Sequence, residues 1–198
     1  MKIRKLFKFE GAHIVRDCSS DRCKKSIHGH SYIVEVFLES DSIDNGQMVV
    51  DFGLLKGNVK DVIDSFDHAY SMWDRETNDY KKFMKENSER WIEMPVSPSA
   101  EMYSLMFYAI IHTILFKTKW NNGEENVKLH SVRVHETATG WAESFYDDYV
   151  NIWLENYKIE DIKISVGVKA EWRDPELWDK ILDPSYIFEN PIVDLKYM

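Results

Sequence analysis

The feature that most constrains this chain is a pair of histidines separated by a single glycine at the start of a strand-like run. His28 and His30 come directly before the mostly apolar run from Ser31 to Leu38. Residues i and i+2 of a strand point to the same side, so both imidazoles project from one face. His13 closes an earlier strand-like run, from Ile3 to Phe9. If the two strands pair, three imidazoles converge.

Three nitrogen ligands and an open fourth position are typical of a catalytic zinc site. A metal held in this way can bind substrate oxygens and stabilise negative charge beside them. Cys23 lies five residues before His28, and a thiol near such a site could act as a base or nucleophile. The alternative is that these are ordinary strand-end histidines, since the chain has seven. The spacing fits no closed Cys₂His₂ structural site.

The order of predicted elements indicates an α+β fold. Four segments have the pattern of strands: 2–14, 30–40, 127–135 and 140–149. Two helices are predicted between the second and third strands, one capped by Asp51 and the other by Ser97 or Ser99. This order favours an antiparallel sheet over the alternating pattern of a nucleotide-binding α/β fold. Residues 69–95 show no clear period, and no element is predicted there.

Charge and hydropathy exclude several classes of function. The net charge is −9, which makes general binding to nucleic acid or to an anionic membrane surface a poor expectation. The sequence has no stretch near the roughly 20 apolar residues of a membrane helix. The basic N-terminus lacks the apolar core of a signal peptide. We therefore expect a cytoplasmic protein in which Cys18 and Cys23 are reduced thiols.

The length of 198 residues suits one domain with an added segment. We place the domain at residues 1–149 and an extension at 150–198. The extension is too aromatic for a disordered tail, so we expect it to pack on the domain. Its large aromatic residues are Trp153, Trp172, Trp178, Tyr186 and Phe188.

Six motifs, in order, resemble those of the 6-pyruvoyl-tetrahydropterin synthase family over roughly residues 2–149. They are Phe9-Glu-Gly-Ala-His13, Cys23 through His30, Met48-Val-Val-Asp51-Phe52, Phe66-Asp67-His68, Pro98-Ser99-Ala100-Glu101 and Val134-His135-Glu136-Thr137. The resemblance implies the tunnelling fold (T-fold), with a four-stranded antiparallel sheet and two helices on one face. It also implies a barrel closed across subunits, in a homohexamer made of two trimers, with active sites at subunit interfaces.

The resemblance implies a role for each matching residue. His13, His28 and His30 would bind zinc. Cys23 would be the catalytic base and would relay protons with Asp67 and His68. Glu136 would hold the pterin ring, because a carboxylate can accept two parallel N–H bonds. Further substrate contacts are expected from Thr137, Ser99, Lys24 and Lys25, with Arg22 as another candidate for binding triphosphate.

Within the family, the motifs resemble the branch that converts 7,8-dihydroneopterin triphosphate into 6-carboxy-5,6,7,8-tetrahydropterin, acetaldehyde and triphosphate. This zinc-dependent lyase reaction belongs to queuosine (7-deazapurine) biosynthesis. Four residues separate Cys23 from His28, Ser99 replaces the family's threonine and Met102 its asparagine, so the product stays open. The alternatives are a pyruvoyl-forming synthase, an aldolase on the same scaffold, a zinc-storage protein and a pterin- or purine-binding protein. The retained Cys23, Asp67 and His68 argue against a purely binding role.

Overall fold

The structure, a computed structural model, describes residues 1–191. Its strands are β1 (Lys2–His13), β2 (His28–Glu39), β3 (Ala69–Trp73), β4 (Trp91–Met94), β5 (Thr118–Trp120), β6 (Lys128–His135), β7 (Trp141–Ser144), β8 (Lys163–Ile164) and β9 (Phe188–Asn190). Its helices are α1 (Asp21–Lys25), α2 (Gly53–Lys56), α3 (Asn58–Asp64), α4 (Asn78–Asn87), α5 (Ala100–Phe116), α6 (Tyr146–Asp148), α7 (Leu154–Asn156), α8 (Val166–Lys169) and α9 (Leu177–Leu182). A π-helical turn covers Tyr149–Trp153, and a 3₁₀ turn covers Ile159–Asp161.

The main sheet has seven strands in the order β7-β6-β2-β1-β3-β4-β8. The predicted four-stranded antiparallel sheet is therefore wrong in size and in direction. The four predicted strands are β1, β2, β6 and β7, which pair antiparallel, whereas β3 lies parallel to β1 and β4 lies parallel to β3. The added strands come from the segment 69–95 and, for β8, from the extension. Four of the five residues of β3 are buried, so this strand lacks the polar alternation that predicts a half-buried strand.

The helical segments α3 and α5 pack on the sheet, and the core lies between them and its inner face. The first predicted helix is divided in two at Gly57, which lies between α2 and α3 and whose backbone leaves the helical region (ψ −109°). The second helix begins as predicted with Ser99 as N-cap, whose Oγ accepts a hydrogen bond from the Met102 amide at 3.4 Å. Most residues of α5 are buried, and Tyr103 and Phe107 contact the Phe9 ring on β1.

The described part of the extension contributes to the same core. Trp153, Trp178 and Phe188 are buried in the main hydrophobic cluster. The Lys117 ammonium, just after α5, donates to the carbonyls of Lys180, Ile181 and Asp183 at the end of α9. These contacts join the extension to the C-terminal end of α5. The last seven residues of the predicted extension, 192–198, lie outside the described range. Within residues 1–191, the helices are too short or too polar to cross a bilayer.

Candidate metal centre and its surroundings

The structure brings the three imidazoles together at the end of the β1–β2 hairpin. His13 lies directly opposite His28 in the register, and His30 lies opposite Gly11. One nitrogen from each of the three rings lies within 4.8 Å of the others. The ring centroids are 4.5 Å apart for His13 and His28 and 5.2 Å apart for the other two pairs. This group could hold a metal ion.

Glycine is required between the two histidines of β2 because the neighbouring strand approaches closely. A Cβ at Gly29 would lie 2.9 Å from the Gly11 carbonyl oxygen, closer than real Cβ contacts. Both partners of this contact are strand backbone, so neither can move aside as a flexible side chain would. The glycine therefore allows β1 and β2 to keep the separation at which the imidazoles on the other face converge.

Backbone carbonyls orient two of the three rings. His13 Nδ1 donates to the Pro98 carbonyl at 2.5 Å, and His28 Nδ1 donates to the Ser26 carbonyl at 3.0 Å. Donation from Nδ1 leaves Nε2 with a free lone pair, which is the form that a metal binds. Neither carbonyl could be predicted from the sequence, because a main-chain acceptor has no residue-type signal. The one available hint was the position of Pro98 within a motif.

The environment favours the neutral form of His13 and His30. His13 is fully buried; burial, with smaller contributions from the nearby His28 and His30, lowers its pKa to about 4 against the opposing effect of the Pro98 hydrogen bond. Burial also lowers the pKa of His30, with a raising effect from Glu136 and a lowering effect from His28. Neutral imidazole is the metal-binding form, so these shifts favour His13 and His30 as ligands.

Glu136 reaches the same place from the end of β6. Its Oε1 lies 3.7 Å from His13 Nε2 and 3.9 Å from His30 Nε2, and its side chain is one-third exposed. A group bound by this carboxylate therefore lies beside the three imidazoles. The next residue, Thr137, uses its Oγ1 to accept from the Gly140 amide at 3.0 Å, which closes the β6–β7 turn. The hydroxyls of Thr137 and Ser99 each accept a hydrogen bond from a backbone amide of the same turn or helix. A contact of either hydroxyl with substrate stays a prediction.

Cys23 lies on α1, in the connection between β1 and β2. Its thiol is half-buried and, among the described residues, is not part of the group of candidate ligand atoms. Lys24 and Lys25 both pair with Asp21, at 3.0 and 2.9 Å, and these contacts, that of Lys25 foremost, lower the pKa of Asp21. The predicted roles of the two lysines beside the thiol and the triphosphate remain predictions.

Asp67 and His68 form a hydrogen-bonded pair on the other face of the sheet. His68 Nδ1 donates to Asp67 Oδ2 at 2.9 Å, and the imidazole is largely exposed. His68 lines a surface hollow with Glu10, Ser31 and Tyr70, and His30 also lines this hollow. Glu10, Ser31 and Tyr70 alternate along their strands with the residues that face the core, so their side chains point away from His13. Within residues 1–191, no hydrogen bond or ion pair joins Asp67 or His68 to the three imidazoles.

Solved structures share this fold. An uncharacterized protein from Wolinella succinogenes matches with a TM-score of 0.57 at 20% sequence identity, covering 74% of this chain and 98% of its own. A 6-pyruvoyl tetrahydropterin synthase from Caenorhabditis elegans matches with a TM-score of 0.51 at 20% identity, covering 73% of this chain and 94% of its own. By fold and site, the chain is a T-fold protein with a three-histidine centre that could hold a metal.

Sequence comparison identifies the family. The model of the family described as 6-pyruvoyl tetrahydropterin synthase matches residues 2–146, and the chain belongs to this family. Two relatives from Helicobacter pylori, strains J99 and 26695, are 41% and 40% identical over 183 residues, which is 92% of this chain and 92% of each relative. A relative from Aquifex aeolicus is 31% identical, covering 67% of this chain and 82% of its own. All three are named 6-carboxy-5,6,7,8-tetrahydropterin synthase. The family predicted from the six motifs is confirmed.

Proposed function

We propose that this protein is a zinc-dependent lyase that converts 7,8-dihydroneopterin triphosphate into 6-carboxy-5,6,7,8-tetrahydropterin, acetaldehyde and triphosphate, a step towards queuosine. The observation that carries the proposal is the convergence of His13, His28 and His30. It occurs in a chain that is 41% identical, over 92% of its length, to a relative named 6-carboxy-5,6,7,8-tetrahydropterin synthase. The shared 183 residues exceed the 149 of the predicted domain, so the similarity extends beyond the family motifs.

The three imidazoles suit zinc. They offer three nitrogen donors, and burial lowers the pKa of His13 and of His30, which favours their neutral, metal-binding form. Zinc held by these residues would act as a Lewis acid, binding side-chain oxygens of the substrate and stabilising the negative charge that develops beside them. The carbonyls of Pro98 and Ser26 would fix the orientation of two ligands.

Glu136 is the proposed anchor for the pterin ring. Its carboxylate can accept two parallel N–H bonds from the guanidine-like edge of the ring. Because it lies 3.7 and 3.9 Å from two of the imidazoles, a pterin bound there has its side chain next to the metal centre. Binding and chemistry would then share one pocket at the end of the β1–β2 hairpin.

Proton transfer is assigned to Cys23, Asp67 and His68. Cys23, as thiolate, would remove a proton from a side-chain carbon of the substrate. The Asp67–His68 pair would pass protons on. Since no hydrogen bond or ion pair of the described residues joins this pair to the imidazoles of its own chain, we propose that it serves the site of a neighbouring copy.

Unpaired strand edges support that assembly. Within residues 1–191, β3 pairs with β1 only at residues 11–13, so the outer edge of residues 2–10 has no strand partner, and neither has the outer edge of β7. Pairing of two different edges between copies generates a closed ring. We propose a homohexamer of two trimers with active sites at subunit interfaces. Light scattering that finds an active monomer would contradict this.

Product identification tests the function. Zinc-loaded protein is incubated with 7,8-dihydroneopterin triphosphate, the pterin is identified by mass spectrometry, and aldehydes are trapped with a hydrazine. We expect 6-carboxy-tetrahydropterin and stoichiometric acetaldehyde from the native chain, and neither from His28→Ala. A pyruvoyl-pterin without acetaldehyde would assign the chain to the pyruvoyl-forming branch. A hydroxymethyl-pterin with glycolaldehyde would indicate an aldolase.

A further inference from the structure

The turn that carries Asp67 and His68 has an unusual backbone. His68 has φ of +51°, a region that non-glycine residues rarely adopt and that persists only where the surroundings impose it. The strand β1 supplies one set of constraints. The Glu10 amide donates to Asp67 Oδ1 at 2.7 Å, and the His68 amide donates to the Glu10 carbonyl at 2.7 Å. These contacts attach the turn to the sheet on one side.

Arg90 holds the turn from the other side. Its Nε donates to the Asp67 carbonyl at 2.8 Å, and its Nη2 donates to the Asp64 carbonyl at 3.0 Å. The planar guanidinium fixes these two donors relative to each other, so one side chain joins the end of α3 to the turn. Arg90 belongs to the segment between Asp67-His68 and Pro98, outside the six family motifs.

The extension holds Arg90 in turn. Arg90 Nη1 lies 2.8 Å from Glu171 Oε2 in an ion pair without hydrogen-bond geometry, whereas Nε and Nη2 each donate a hydrogen bond. The Arg90 side chain is only 16% exposed, although Glu171 is largely in solvent. The positive charge has a local effect as well. Burial would raise the pKa of Asp67, but the Glu10 amide, His68 and the charge of Arg90 together lower it.

The extension is attached to the sheet immediately beside Arg90. The strand β8 pairs with β4, and the backbone amide of Ser165 donates to the Trp91 carbonyl at 3.1 Å. Gly167 allows this close approach, because a Cβ there would lie 2.7 Å from the Glu89 carbonyl oxygen. The position of Glu171 relative to Arg90 is thus determined by packed backbone on both sides.

We propose that Arg90, held by Glu171 of the C-terminal extension, is a positioning residue that keeps Asp67 and His68 in their hydrogen-bonded geometry. With Nδ1 donating to Asp67, the neutral His68 imidazole carries its proton on Nδ1 and presents Nε2 as an acceptor. The catalytic meaning of this orientation rests on the proposed function, whereas its geometry does not. The segment 69–95 and the extension would then both contribute to the active site without supplying a residue that contacts substrate.

Nitrogen NMR of histidine-labelled protein tests the proposal without any substrate. At a pH above the ordinary imidazole range, ¹⁵N shifts distinguish a proton on Nδ1 from one on Nε2, and His68→Asn identifies the His68 signals. We expect the Nδ1–H form to predominate in the native chain and to fall by about twofold or more in Arg90→Met. Arg173→Met is the matched control, since Arg173 also contacts the end of a helix, at the Lys56 carbonyl, and a carboxylate, Asp61.

A folded Arg90→Met protein with the native Nδ1–H fraction would overturn the proposal, as would an equal change in Arg173→Met. If Arg90→Met does not fold, Glu171→Gln decides, because its exposed side chain can be changed safely: a lower Nδ1–H fraction supports the proposal and a native fraction refutes it. In the assay with 7,8-dihydroneopterin triphosphate, Arg90→Met should keep its zinc and lose about 10²-fold in kcat. Absence of turnover in the native chain would instead count against the proposed function and leave the NMR result valid.

Discussion

Replacing Gly29 by alanine should weaken metal binding without removing any ligand. The added Cβ would lie 2.9 Å from the Gly11 carbonyl oxygen, whereas ordinary contacts begin at 3.4 Å, so β1 and β2 must separate locally by about 0.5 Å. Metal–ligand bonds tolerate only about 0.2 Å. Because His13 and His28 lie on different strands of this pair, the separation changes the distance between ligands.

We expect Gly29→Ala to bind zinc about 10- to 100-fold more weakly, the range observed when the surroundings of metal ligands are disturbed. Overpacking of the strand pair should also cost about 1–3 kcal/mol in the free energy of unfolding. Competition with a chromophoric chelator measures the first effect, and urea unfolding of the metal-free protein measures the second. Gly140→Ala is the control, because its Cβ would meet only the Thr137 hydroxyl, at 3.2 Å, in an exposed turn. Native zinc affinity in a folded Gly29→Ala protein would refute the reasoning.

Three further outcomes are expected. His28→Ala should lose zinc, as measured by elemental analysis, and full occupancy in this variant would contradict the ligand assignment. Cys23→Ala should keep zinc and lose about 10²-fold or more in turnover, whereas Cys18→Ala should stay active; the reverse pattern would mean that the wrong thiol was chosen. Glu93 is buried; burial would raise its pKa, but hydrogen bonds from Lys85 and Lys163 lower it overall. The ionised Glu93 carboxylate therefore contributes its full stabilisation of the fold above the ordinary glutamate pKa of 4.5. This contribution is lost as the pH falls through the lower pKa that Glu93 has in the folded protein. The difference in unfolding free energy between the native chain and Glu93→Gln should thus shrink on acidification in urea titrations; a constant difference would show that the carboxylate does not titrate in this way.

The strands that could be predicted from the sequence are those with one side facing the core and the other side facing away from it. In parts of β1, β2 and β6, buried residues alternate with exposed or half-buried ones, and this alternation made it possible to predict their positions and the convergence of the imidazoles. In contrast, β3 is almost wholly buried and has only five residues, and β8 has only two. A period of two cannot be recognised in such short or uniformly buried segments.

The site also has parts that could be predicted from the sequence and parts that could not. Residue type and spacing indicated His13, His28 and His30, and the family resemblance indicated Glu136; the structure brings all four together. Sequence reasoning could not find the Pro98 carbonyl as a partner of His13, since its role depends on where α5 docks. The face on which His68 lies follows from the parallel pairing of β3 with β1, a contact that no local pattern indicates. The relation between the histidine centre and the Asp67–His68 pair therefore required the tertiary structure.

The placement of all three imidazoles on one hairpin has a consequence for the order in which the centre matures. The complete ligand set has been synthesised once the ribosome passes residue 30, and a hairpin needs no distant part of the chain in order to close. The carbonyl that orients His13 belongs to Pro98, 85 residues further along the chain. The ring of His13 therefore reaches its final orientation only after the start of α5 has docked on the hairpin, and a metal bound by these residues would gain its final geometry at that point.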